Sequence, residues 1–322
     1  MERNWIRVLK VILRRETENG KVVEMVFGDN FPNWDLKLDV SIHKYMSALK
    51  DTATITISNL TYSQVIQIVN GKLYNVEVIA GYRNGNQMTV FKGQVLRISN
   101  TLKNDRTNEI IILCGSSMIA KFSQRFLNFS LQSGMNTYSA IKFLSARAGI
   151  KDKDSDVSTQ LKKDFLQQVQ TETKTVGSFL ENLTQNNETY ILNVDESNGV
   201  KFSIYDSAVS NNRVIDLSNV QFVGGYPQLD SNGLNFTILP TFSFMCGDVV
   251  LIDNAMISLE AVSDLGNLSS QPGYYLDRSR SDGKGAYMIM QITYNLTNRS
   301  PAFSCIISAK ARSLISNYIG VN

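Results

Sequence analysis

Histidine is nearly missing from this 322-residue chain, where His43 is the single one. That count leaves no two-histidine zinc site and no Ser-His-Asp or Cys-His arrangement except through His43 itself. His43 ends a polar face of alternating residues, where a solvated strand end is expected. Cysteine is scarce too: Cys114, Cys246 and Cys305 are far apart, odd in number and without CxxC spacing. Neither a disulfide framework nor a structural zinc site fits that pattern. Each sits in or beside an apolar strand-like stretch, as expected of buried, reduced thiols. No apolar run approaches the roughly 18 residues needed to cross a bilayer as a helix. The N-terminal stretch Met1 to Arg15 is broken by Arg7 and Lys10, and no small-residue cleavage site follows it. It does not read as a secretory signal, so a soluble chain made in a reducing compartment is expected. Lysine and arginine never occur four in a row and the net charge is only +3, unlike the clustered basic footprint of a nucleic-acid binder.

The motifs of common chemistries are missing as well. Gly115-Ser116-Ser117 is not a nucleophile elbow. Gly81-Tyr82-Arg83-Asn84-Gly85 and Gly224-Gly225 are not followed by the GK[ST] of a phosphate loop. Lys151-Asp152-Lys153-Asp154-Ser155-Asp156 lacks the glycine and terminal glutamate of a calcium loop and reads as a solvated loop. A pair of Asp or Glu residues acting as glycosidase acid and base stays open, because sequence does not measure their separation. No catalytic, metal or cofactor-binding residue is assigned.

What is present is period-two alternation. An apolar fraction of 43% against 19% charged residues suits a globular chain rather than a disordered one. At this length two or three domains are expected. Residues 1–118 are dominated by strands. Trp5 to Leu13 pairs with Val22 to Phe27 across Glu18-Asn19-Gly20, and Leu36, Leu38, Val40 and Ile42 alternate with polar residues. A strand at Thr52 to Ser58 follows. Asn59-Leu60 breaks it, and Thr61 caps a short helix carrying Val65, Ile66 and Val69. Extended chain then runs from Leu73 to Tyr82 and back from Thr89 to Ile98, and Ile110, Ile112 and Cys114 complete a small barrel or sandwich.

Residues 119–207 change period. Ala140, Ile141, Leu144 and Ala148 predict a helix capped near Asn136 or Thr137 and ended by Gly149. Val176, Phe179, Leu180 and Leu183 predict a second helix, with the polar stretch Lys151 to Gln160 as an exposed loop between them. Tyr190, Leu192 and Val194 turn into Val200, Phe202 and Ile204 as a hairpin. Residues 208–322 return to strands, closing with the pair Tyr287 to Leu296 and Phe303 to Lys310. The fold class is therefore mainly β with an α+β insert. Tyr274 and Tyr275, in a long loop, are candidate partner contacts, since aromatics are enriched at interfaces.

One order of motifs stands out: Thr52-Ala53-Thr54-Ile55-Thr56-Ile57-Ser58-Asn59-Leu60, a short helix, Ala80-Gly81-Tyr82, then Phe91-Lys92-Gly93. Leu239-Pro240 with Gly247-Asp248-Val249-Val250 follows, and last Gly285-Ala286-Tyr287-Met288-Ile289. This order resembles the central baseplate hub of contractile phage tails, related to the hub half of type VI secretion spike proteins. Many members carry a His and a Gly-Asp pair after the last strand and a Trp in the next. Here Tyr294-Asn295-Leu296 and Phe303 stand there, a departure that touches the subfamily rather than the architecture.

The resemblance implies two tail-tube-like β-barrel domains, 1–118 and 208–322, flanking a helix-plus-hairpin domain, 119–207. It further implies a homotrimer in a virion tail baseplate, assembled in the bacterial host cytoplasm. As an adaptor it would join a tail tube protein to a central spike protein, near the tape measure protein and other baseplate wedge proteins, without sequence-specific nucleic-acid contact. Two similar barrels in each of three chains match a hexameric tube and a threefold spike at once. A tube-initiator or distal tail component, and a baseplate-associated cell-wall hydrolase, are the alternatives.

Overall fold

The structure, a computed structural model, describes residues 6–16, 21–28, 36–47, 50–70, 73–83, 85–103, 107–116, 126–151, 155–163, 165–166, 170–178, 180, 190–195, 201–206, 213–230, 233–240, 244–259, 276–277 and 280–311. In the first segment, β1 (Arg7–Glu16) pairs antiparallel with β2 (Val22–Phe27), as the turn residues between them predict. β3 (Lys37–Tyr45) and β4 (Thr52–Ser58) pair antiparallel and send every second residue inward. The inward residues meet in rows across three strands, because β4 also pairs with β7 (Thr107–Gly115). Leu38, Ile57 and Ile110 form one row, Val40, Ile55 and Ile112 the next, and Ile42, Ala53 and Cys114 the third. All nine are buried. This is the period-two pattern turned into packed layers.

After β4, α1 (Tyr62–Asn70) begins at a reciprocal cap. The Thr61 backbone N–H donates to Gln64 Oε1 at 2.9 Å, and the Gln64 N–H donates to Thr61 Oγ1 at 3.4 Å. Its buried side is Val65 and Ile68, while Ile66 and Val69 are exposed. In so short a helix two inward residues are enough to seat it. β5 (Asn75–Tyr82) and β6 (Gln87–Lys103) complete the segment, with β6 lying between β5 and β7.

The middle segment holds β8 (Phe126–Leu131), α2 (Thr137–Arg147), β9 (Ser155–Val157), β10 (Gln170–Thr175), β11 (Tyr190–Asp195) and β12 (Lys201–Asp206). Asn136 caps α2 by accepting the Ser139 N–H at 2.8 Å. Ala140, Ile141, Leu144 and Ala148 are buried as predicted, and β11 and β12 form the predicted hairpin. The stretch read as a loop differs: within it β9 pairs parallel with β12 and Val157 is buried, as is Leu161 just beyond it. Val157 is what docks it, an apolar residue that the surrounding charges hide in the sequence. Val176 and Leu180 of the second predicted helix are buried; Phe179 and Leu183 lie outside the described residues. A separate apolar core forms here, from Phe129 to Ile204.

The last segment holds β13 (Val214–Asp216), β14 (Gln228–Asp230), β15 (Gly233–Ile238), β16 (Val249–Asp253), β17 (Ser258–Leu259), β18 (Lys284–Thr297) and β19 (Phe303–Ala311). Among the described residues it shares one fourteen-stranded sheet with the first segment, ordered β17-β14-β15-β19-β18-β3-β4-β7-β6-β5-β1-β2, with β16 on β18 and β13 on β16. The sheet is mostly antiparallel and does not close on itself. The two outer segments meet where β18 pairs with β3, Tyr294 opposite Ile42 and Leu296 opposite Val40. One core runs through both. Asn298 pins the junction: its Oδ1 accepts the Leu38 N–H at 2.9 Å and its Nδ2 donates to Leu36 O at 2.9 Å.

Candidate assembly surfaces

The motif positions fall on packing constraints. A Cβ on Gly93 would stand 2.3 Å from the Gly115 carbonyl oxygen and 2.8 Å from the Phe91 ring, so only glycine lets β6 pass β7 there with Phe91 buried. A Cβ on Gly285 would stand 2.6 Å from Asn254 Oδ1 and 2.5 Å from the Tyr287 ring. That space belongs to a polar cluster. Tyr287 OH donates to Asn254 Oδ1 at 3.0 Å, Asn254 Nδ2 donates to Asp277 O at 2.8 Å, and Asp277 Oδ2 accepts the Ala286 N–H at 2.9 Å. Buried Asp248 in the Gly-Asp-x-Val turn accepts the Met245 N–H at 2.8 Å and pairs with Arg213. Phe303 packs edge-on against Tyr82, 5.7 Å between centroids, and the Arg7 guanidinium lies over the Phe303 ring, 5.2 Å from its centroid. The motifs thus hold turns and the join between segments.

His43 lies on the outward face of the sheet, among hydroxyls. The register sets His43 opposite Thr52 and Thr293, Ser41 opposite Thr54 and Asn295, and Asp39 opposite Thr56 and Thr297. His43 Nδ1 is 3.2 Å from Thr293 Oγ1 and Nε2 is 3.3 Å from Ser41 Oγ. The expected solvated strand end is in fact a half-buried, hydrogen-bonded position, because β18 arrives from the far end of the chain to flank β3. A hollow of about 240 Å³ opens on this face, lined by Asp39, Ser41, Thr54, Thr56, Asn295 and Thr297 among others. The lining is mostly hydroxyls and amides, and its one carboxylate, Asp39, pairs with Lys37.

Charge is organised at the β5-β1-β2 end of the sheet. Glu77 on β5 accepts from Thr89 Oγ1 at 2.9 Å and Arg14 Nη1 at 2.6 Å, with Lys92 Nζ at 3.3 Å; Arg14 also reaches Glu24 at 2.6 Å. Burial by itself pushes the Glu77 carboxyl up. The Thr89 and Arg14 hydrogen bonds and the Lys92 charge outweigh it and hold the group below the usual glutamate range. The three thiols are free and buried. Burial pushes Cys114 and Cys305 up to about 12, and Cys246 well above its ordinary value. Among the described residues no group of three or more His, Cys, Asp or Glu could hold a metal ion. Tyr274 and Tyr275 lie outside the described residues.

No protein-family model and no curated protein matches the chain. Solved structures do. The 43 kDa tail protein of prophage MuSo2 from Shewanella oneidensis aligns over 95% of this chain and 97% of its own, at TM-score 0.54 and 10% identity. The tail protein of Neisseria meningitidis MC58 aligns over 97% and 98%, at TM-score 0.54 and 10% identity. A chain of the half-lidded PdpA–VgrG complex of Francisella aligns over 96% of this chain and 58% of that one, again at TM-score 0.54 and 10% identity. This chain thus spans a little over half the length of that last protein. The fold is that of phage tail proteins and of a chain in a VgrG complex, the group to which the hub resemblance points.

Proposed function

We propose that this chain is the structural hub of a phage-tail-type baseplate: a trimeric adaptor that joins a hexameric tube to a threefold central spike and catalyses no reaction. The alignment with two tail proteins along nearly the whole of all three chains carries this reading. In it, residues 1–118 and 208–322 are two tube-like β units, joined edge to edge at β3 and β18, and 119–207 is a peripheral insert. The separate apolar core from Phe129 to Ile204 supports that division. The open ends of the sheet support assembly, because an edge such as β2, which pairs on one side among the described residues and exposes Val22, Val23 and Val26, is a ready template for another chain. A tube protein, a spike protein, a tape measure and wedge proteins are the partners this role requires, in a virion tail. Analytical ultracentrifugation of the full chain tests it. A trimer mass is expected; a hexameric ring would point to a tube component instead, and a monomer that degrades peptidoglycan to a hydrolase.

A further inference from the structure

Single apolar side chains in water mean little, but rigid, charge-free groups of them mark contacts. Two such groups stand out among the described residues. On α1, Tyr62, Ile66 and Val69 recur at i, i+4 and i+7 and are 77%, 39% and 50% exposed. The helix carries no charged residue, and none occurs from Thr52 to Gly71. Its seat is firm, with the Thr61–Gln64 cap at one end and Val65 and Ile68 buried beneath.

The second group is the turn Val223-Gly224-Gly225-Tyr226. Tyr226 is 67% exposed, and Val223 and Leu239 are exposed with it. A Cβ added at Gly224 or Gly225 would meet nothing within 4 Å, so the tip of the turn projects from the described residues around it. Its base is pinned on both sides. The Val223 N–H donates to Thr237 O at 2.8 Å, the Ser258 N–H donates to Pro227 O at 2.7 Å, and Phe222 meets Phe236 edge-on. From Leu217 to Leu229 no residue is charged. The turn is a fixed aromatic knob.

We propose that this knob seats on the α1 stripe of a second copy of the chain, with Tyr226 as the central side chain of the contact. Both groups are open in the same chain, so they do not satisfy each other within it. Either one buried against a charged surface would strand that charge, so each calls for a neutral apolar partner. A projecting turn and a helical stripe are complementary and occur once per chain, in equal number in any homomeric assembly. Unlike surfaces give a head-to-tail contact, which closes into a ring when the rotation between copies is one third of a turn. Tyrosine is a frequent hot-spot residue, and two preformed surfaces lose little freedom on docking. The proposal rests on the trimeric reading above and names the surface that builds it.

Charge exchange tests it by sedimentation of the full chain, with circular dichroism as the folding check. Tyr226→Glu and Ile66→Lys, each at an exposed site, are expected to raise the trimer dissociation concentration at least tenfold (~1.4 kcal/mol or more). Together they should recover most of that loss by pairing across the contact, and Val223→Glu with Val69→Lys should behave the same way. If wild type is trimeric and the folded single variants are too, or if neither double variant recovers, this contact is wrong while the trimer stands. A monomeric wild type would remove the trimeric reading and the contact with it.

Discussion

Cys114, Cys246 and Cys305 are small apolar residues that happen to carry sulfur. A thiol must ionise to react, and burial opposes that at all three. At pH 8 the native protein should leave a thiol reagent unconsumed, while the denatured chain should consume three equivalents. Rapid reaction of one thiol in the native state would show its strand to be open. Phe91 is 3% exposed with its ring against Gly93, so Phe91→Ala removes a filled volume that the close β6–β7 approach keeps from refilling. A loss of about 3–5 kcal/mol is expected in denaturant unfolding, the range for a buried phenylalanine. An unchanged midpoint would mean that the ring contributes nothing to the core.

At the scale of elements, Glu77 ties β1, β5 and β6 together through Arg14, Thr89 and Lys92. Its folded pKa lies below its ordinary value. The unfolded chain therefore binds the proton first, and stability falls as pH drops from about 4.3, the ordinary glutamate value, through the lower folded one. Above that window the contribution is complete. Glu77→Gln should lower the melting temperature at pH 7 and flatten the acid limb of the stability curve. A variant whose acid limb runs parallel to wild type would place the acid sensitivity elsewhere.

For the whole molecule, the middle segment has its own core, and two neighbouring residues of β11 meet the main sheet. Ile191 packs with Met288, and the Leu192 N–H donates to Met46 O at 3.0 Å. Replacing residues 126–206 by a short Gly/Ser linker removes that core entire and cuts no strand pairing of the large sheet. The deletion variant is expected to keep a trimer mass in sedimentation. A folded monomer would put the main subunit contact in the insert and not in the outer segments.

Local pattern by itself determined β3, β4 and β7 from their alternation, α2 from its cap and spacing, and the β1–β2 and β11–β12 hairpins from their turns. All of these rest on interactions a few residues apart, which composition and spacing encode. The order of the Gly93, Asp248 and Gly285 motifs was legible for the same reason, since each answers to a close approach at a turn or strand. Nothing local marks Asn298, or gives His43 its hydroxyl partners, or puts β9 beside β12. The two outer segments read as separate units until β18 pairs with β3 across some 250 residues and merges their cores. Only tertiary structure decided these, because two strands from opposite ends of a chain carry the same period whether or not they are neighbours.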